Sequence, residues 1–275
     1  MNAQHCATEA SCNKPHESAR TAQAPLPGVF VGSQAKSPCS IFLRFKLSAL
    51  MDVSIIIPVL NEALVLPCLM EHILPYSRQP GVEVLFVDGG SRDASRCMVS
   101  AAGFRLIESH PGRARQMNTG AEHSHGRLLL FLHADSRLPP MDLRAIEPCM
   151  ERGRRVWGRF DVCIEGCSFC LPLIASMMNL RSRLTGIATG DQAIFVRREV
   201  FERLGGFPDQ PLMEDVELSK RLKRVSCPLC LHPQVMTSGR RWDQRGALRT
   251  VWLMWRLRLA YWLGVSPARL KELYR

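Results

Sequence analysis

The sequence has no charge-free apolar run of about 18 residues and no apolar segment of secretory type near its start. It therefore predicts neither a membrane-spanning helix nor a signal peptide. It is also short of acidic residues, with 25 Asp and Glu against 36 Lys and Arg, a formal charge of +11. Residues 1–50 hold five basic and two acidic side chains, which leaves +8 for the remainder. That excess suits an anionic ligand or an anionic membrane surface. No nucleic-acid-binding motif and no long basic run accompanies it, which argues against a nucleic-acid partner. The cysteines number eleven, and an odd count without an export signal argues against a disulfide framework. Cys167-Ser-Phe-Cys170 and Cys227-Pro-Leu-Cys230 are separated by far more than the roughly 15–20 residues of compact zinc sites. Buried free thiols are the expectation there, with structural zinc the lesser alternative.

What is present describes a core-forming chain. At 275 residues, 46% hydrophobic and 22% charged, it predicts one α/β domain plus an extension. Residues 1–50 are rich in Ala, Ser, Pro, Gln and Cys without a sustained period, and Met1 to about Ser40 reads as disordered. Met51 directly precedes the first clean strand and is a candidate start, so 51–275 is the expected domain. Residues 1–40 are expected to be dispensable to folding and ligand binding.

Val53–Val59 and Val82–Asp88 read as buried strands, and Arg105–Glu108 as a short third one. Leu60-Asn-Glu62 is expected to open a helix to about Tyr76 with Asn61 as its N-cap, and Asp93 to cap the next helix. Leu128–Leu132 reads as a strand buried on both faces that ends in His133-Ala-Asp135. In open α/β sheets the C-terminal strand edge is where ligands bind. If the strand continues, His133 and Asp135 share a face. Gly112–Ala121 reads as a helix carrying Arg113 and Arg115, two cations that could screen a diphosphate or form a solvated face. Gly158–Val162 reads as a strand, Leu171–Leu184 as an apolar helix, and Glu199–Leu204 as a short helix stopped by Gly205-Gly206. Glu214 and Asp215 open another helix, where the dipole favours negative charge. Strands alternating with helices predict a mostly parallel sheet.

Asn61-Glu62, the Asp88-Gly-Gly-Ser-Arg-Asp93 turn, His133-Ala-Asp135, Gly190-Asp-Gln192, Gly205-Gly-Phe207, Glu214-Asp215 and Arg240-Arg-Trp242 occur in that order. Over Met51–Arg275 this set resembles family 2 glycosyltransferases of the GT-A fold, in particular a small bacterial branch whose metal motif is His-Ala-Asp. The resemblance implies an α/β, single-domain, metal-dependent, inverting transferase of one sugar from a nucleotide-diphosphate sugar. It implies that Glu62 and Asp88 hold the nucleoside, with Asp93, Arg113 and Asn118 completing that pocket. Asp135 coordinates Mn2+ or Mg2+, Asp191 lies near the acceptor or the donor sugar, Asp215 with Glu214 beside it is the catalytic base, and Arg241 and Trp242 close over the diphosphate and the acceptor end. His133 stands where the family usually has Asp, and imidazole suits manganese better than magnesium, or else faces the nucleotide. Ser238 stands where processive synthases have Gln, which argues for single-sugar transfer. A nucleotidyltransferase would need a Gly-rich, basic phosphate loop after the first strand, and Pro58-Val-Leu-Asn-Glu62 is not one. A nucleotide-sugar-binding scaffold without turnover is the non-enzymatic alternative.

Ala247–Val265 places Trp252, Trp255 and Trp262 on one helical stripe, with Arg249 and Arg256 on one flank and Arg258 on the other. Aromatic rings flanked by arginines suit a bilayer interface, whereas a helix apolar nearly all round suits packing against the domain or a second copy in a homodimer. Membrane contact would make a lipid-linked or carotenoid-type acceptor plausible and place a cytoplasmic protein at the inner face of the plasma membrane.

Overall fold

The computed structural model describes residues 52–274, without the side chains of Arg241 and Arg245. The expectations for residues 1–50 and for Met51 lie outside the described residues.

The first half of the domain is β1 (Val53–Val59), α1 (Leu66–Ser77), β2 (Val82–Asp88), α2 (Ser95–Ala101), β3 (Arg105–Glu108), α3 (Arg113–Glu122) and β4 (Leu128–Phe131). The chain continues with β5 (Ser136–Arg137), α4 (Ile146–Arg152), β6 (Trp157–Glu165), α5 (Leu171–Thr185), β7 (Phe195–Arg197) and α6 (Arg198–Arg203). It closes with α7 (Glu214–Lys223), β8 (Leu229–Ser238), α8 (Arg240–Arg245), α9 (Ala247–Trp262) and α10 (Pro267–Tyr274). The strands form one sheet in the order β3-β2-β1-β4-β7-β6-β8-β5. The first four are parallel, β7 runs against both β4 and β6, and β8 is parallel to β6.

The β-branched run of β1 is buried on both faces, as its sequence pattern requires. Ile55 and Ile57 pack with Leu66, Leu69 and Ile73 of α1, while Ile56 packs on the other face with α3, α6 and α7. Each such fully buried isoleucine contributes about 1.5–3 kcal/mol of transfer free energy. Gly120 lets α3 lie directly on the sheet: a Cβ there would meet Ile56 Cγ2 at 2.4 Å and Val87 Cγ2 at 3.0 Å. Gly120→Ala is expected to destabilise the domain by about 1–3 kcal/mol through overpacking, read as a lower urea midpoint at unchanged slope.

The structure departs from the sequence expectations at several points. α1 starts at Leu66, and Asn61 is not its cap but sits at φ 54°. Its Oδ1 instead accepts from the Arg92 backbone N at 2.8 Å. β4 ends at Phe131, so His133 and Asp135 lie in the turn beyond it and not on a continuing strand. β8 was not legible because Pro233 interrupts it. The β6–β8 register jumps between Phe160↔Leu231 and Asp161↔Gln234, and this irregularity accommodates a proline that cannot donate to the ladder. All eight described cysteines are free, but the CxxC thiols are not buried: Cys167 and Cys227 are exposed, and Cys170 and Cys230 are half-buried.

Candidate active site

The chain ends of β1 and β4 and the first turn of α7 open on one cleft of about 750 Å³. Of the residues singled out by sequence, Glu62, Arg113, His133, Asp135, Asp191, Glu214, Asp215 and Trp242 line it. Asp88, Asp93 and Asn118 do not, and the side chain of Arg241 lies outside the described residues.

Those that stay out build the cleft's frame. Asp88 is buried at 2% exposure, and its carboxylate accepts from the backbone N–H groups of Gly90 and Ser91. Asp93 accepts from Ser95 N at 2.9 Å and Ala63 N at 3.0 Å, tying the first βα turn to the second. The hydroxyls of Ser91 and Ser95 add to that tie by accepting from the backbone N of Asn61 and Glu62, both at 2.9 Å. Asn118 uses both ends of its amide on Phe207, whose N donates to Oδ1 and whose carbonyl accepts from Nδ2. It clamps the Gly205-Gly206 turn. Gln116, unnoticed in the sequence, donates to the carbonyls of Val59 and Val87, both at 2.8 Å. It thereby closes the gap where β1 and β2 end, and nothing in the sequence beyond its place on α3 marks it.

The lining carboxylates differ in their surroundings. Among the described residues the Asp135 carboxylate has one weak neighbour, the Ser136 hydroxyl at 3.4 Å from Oδ1. Asp215 is held from two sides, by Gly190 N at 2.8 Å to Oδ2 and by Val216 N at 2.7 Å to Oδ1. Glu214 is 4% exposed and lies 3.6 Å from Arg113 Nη1. Burial, and then the charge of Asp215, push its carboxyl above the usual range, while Arg113 opposes the shift. Desolvation at the cleft wall works against charge on Arg113, whose side chain is 45% exposed, but Glu214, Asp191 and Asp215 outweigh it and hold its pKa up. Met213, at φ 65°, turns the chain into α7 so that both acids reach the cleft. A non-glycine residue in this region costs about 1–3 kcal/mol, a strain typical of functional sites.

His133 lines the cleft on the side of Asp191. Its Nδ1 lies 3.5 Å from Asp191 Oδ1, and its ring lies over Gly190, whose added Cβ would come within 2.2 Å of Cε1. Among the described residues no three His, Cys, Asp or Glu side chains converge as a complete metal cage. A cage is not what a diphosphate-bridging cation needs, since magnesium is commonly held by one or two carboxylates with substrate oxygens completing the shell. The sparsely engaged Asp135 carboxylate fits that requirement.

Sequence reasoning missed part of the far wall. Arg258 of α9 and Lys271 and Tyr274 of α10 line the cleft. Arg115 does not present a free cation, because it forms paired 2.8 Å hydrogen bonds with Asp209. The outer faces of two helices are apolar and exposed. Leu173, Met177, Leu180 and Leu184 lie on α5, and Leu248, Trp252, Trp255, Leu259 and Trp262 on α9. The inner face of α9 packs through buried Leu257 and partly buried Leu253 and Met254. The helix thus packs on the domain along one side and exposes an apolar stripe along the other. No helix among the described residues is long and apolar enough to cross a membrane.

A sequence model of glycosyl transferase family 2 matches residues 54–205. The chain is similar to a probable glycosyltransferase, YdaM of Bacillus subtilis, at 24% identity over 84% of this chain and 59% of that protein. It is also similar to an undecaprenyl-phosphate 4-deoxy-4-formamido-L-arabinose transferase of Serratia proteamaculans, at 28% identity over 53% of this chain and 48% of that one. The chain therefore spans between about half and three-fifths of the length of these relatives. Among solved structures it is similar to S. aureus TarS in complex with UDP, with TM-score 0.56 and 17% identity over 68% of this chain and 60% of that one. A mannosyltransferase of Pyrobaculum calidifontis in complex with GDP-Man and Mn2+ gives TM-score 0.52 and 21% identity over 76% of this chain and 60% of that one.

Proposed function

The chain belongs to glycosyl transferase family 2 and has the GT-A fold, and from that premise we propose that it transfers a single sugar, with inversion, from a nucleotide-diphosphate sugar to a hydroxyl or phosphate oxygen of an acceptor. The observation that carries this reading is the gathering, in one cleft, of the open Asp135 carboxylate with the Asp191, Glu214 and Asp215 group.

In this reading Glu62 meets the nucleoside directly, and Asp88 and Asp93 shape the turns against which the nucleoside rests. Arg113 faces the diphosphate. Asp135, with His133 nearby, would hold Mn2+ or Mg2+, and a divalent cation there supplies charge to neutralise the leaving diphosphate. The backbone contacts to Asp215 orient its carboxylate toward the cleft, where it takes the acceptor proton. Glu214, raised in pKa and paired with Arg113, fits a supporting role better. Trp242 covers the acceptor end, and Arg241 is assigned there from its place beside Trp242. The exposed stripe of α9, with Arg256 lying 5.3 Å over the Trp252 ring, supports peripheral contact with an anionic membrane and a lipid-linked acceptor.

A thermal-shift panel of UDP- and GDP-sugars with and without manganese tests the reading. A manganese-dependent rise in melting temperature with one sugar nucleotide is expected, because a ligand that binds only the native state stabilises it by mass action. Absence of any shift across the panel would overturn it.

A further inference from the structure

Among the described residues β7 pairs with β6 only at Trp157 and Gly158, and the chain before β7 turns aside through the short helical turn Gly190–Gln192. Asn179 of α5 occupies the edge of β6 that this leaves. Its Oδ1 accepts from Val162 N and its Nδ2 donates to Val162 O, both at 2.9 Å, as the peptide of a neighbouring strand would. The same Oδ1 accepts from Nε2 of Gln192 at 3.3 Å, and Gln192 is 0% exposed. At its other end Gln192 Oε1 accepts from Thr189 N at 3.2 Å. The next amide along, Gly190 N, is the one that donates to Asp215 Oδ2. The partners fix both amide orientations, because Val162 N and Thr189 N each need an oxygen and Val162 O needs a donor. A continuous set of hydrogen bonds thus runs from β6 through Asn179 and Gln192 to the turn that grips Asp215 and carries Asp191. The turn ends at Ala193 with φ 44°, a conformation that a non-glycine residue keeps only where its surroundings enforce it. Neither Asn179 nor Gln192 lines the cleft.

We propose that Asn179 and Gln192 are positioning residues, holding the Gly190–Gln192 turn where the Gly190 N–H orients the Asp215 carboxylate. The inference rests on the transferase reading, in which Asp215 takes the acceptor proton. Burying an amide is costly unless it is hydrogen-bonded, and an apolar side chain would fill the place of Gln192 equally well. What the amide adds is a fixed distance between β6 and the turn. Its loss acts on the rate and not on donor binding, since misplacing a reacting group by about 1 Å can cost roughly 10²-fold.

Gln192→Met keeps the length of the side chain but can make neither hydrogen bond, and Asn179→Leu does the same at the strand edge. Turnover by the full chain is read as release of nucleoside diphosphate from the UDP- or GDP-sugar that binds. Amide hydrogen exchange at Gly190 is followed beside it, with the amides of β1 and β4 reporting that each variant is folded. Each variant is expected to lower kcat by about tenfold or more, with KM for the sugar nucleotide within about twofold of wild type. Gly190 is expected to exchange about tenfold faster while β1 and β4 keep their protection. The double variant should lose no more than the worse single one, because both substitutions break the same chain of bonds. Should Asn179→Leu not fold, Gln192→Met alone decides. Wild-type kcat in Gln192→Met, unchanged exchange at Gly190, a loss confined to KM, or additive losses in the double variant would overturn the proposal. Faster exchange at Gly190 in a protein that turns over no sugar nucleotide would leave the anchoring of the turn standing and bring down the transferase reading instead.

Discussion

Asp215→Asn is expected to lower sugar transfer by about 10²-fold or more, a barrier rise of about 3 kcal/mol, while nucleotide binding survives. The measurement is release of nucleoside diphosphate from the sugar nucleotide that binds. The structure adds a complication. The two oxygens of Asp215 each accept from a different backbone N–H, of Gly190 and of Val216. An asparagine can satisfy only one of these, so some loss could come from a loosened Gly190 turn. The pH–rate profile separates the causes. Loss of the base abolishes the fall in rate on the acid side, whereas a displaced turn lowers the rate at every pH. Glu214→Gln is the control, because adjacent helical side chains point about 100° apart. Equal loss in both variants would mean that the wrong carboxylate was chosen, and full activity in both would sink the inverting-base mechanism.

Asp135→Ala is expected to erase the part of nucleotide affinity that depends on manganese, a loss of at least about tenfold or 1.4 kcal/mol. Stability should change by less than about 0.5 kcal/mol, because the carboxylate touches little besides the Ser136 hydroxyl. Its backbone carbonyl, which accepts from Ser238 N at 3.1 Å, is untouched by the substitution. Titrations of the wild type and the variant with and without manganese read both quantities. Identical manganese dependence in the two proteins would remove Asp135 from the metal site and turn attention to His133 and Asp191.

The strands that build the sheet's parallel half could be read directly, because residues buried on both faces leave runs such as Ile55-Ile-Ile57 and Leu128–Phe131 that water excludes wherever they occur. The acidic residues at strand ends and at the start of α7 were equally plain, since chain polarity sets where a strand or helix ends. The sequence by itself therefore determined the α/β class and most of the acidic residues that line the cleft. Only the tertiary structure decided which of them face it. Buried Asp88 turned toward the amides of its own turn, whereas Asp93 reached Ala63 N and half-buried Asn118 reached Phe207 N, partners near in space and not in sequence. Helices α5 and α9 are far apart in sequence, and no local pattern relates them. It is their packing with β6, through Leu171, Ile174 and Val251, that leaves the apolar stripes of both helices on the outside.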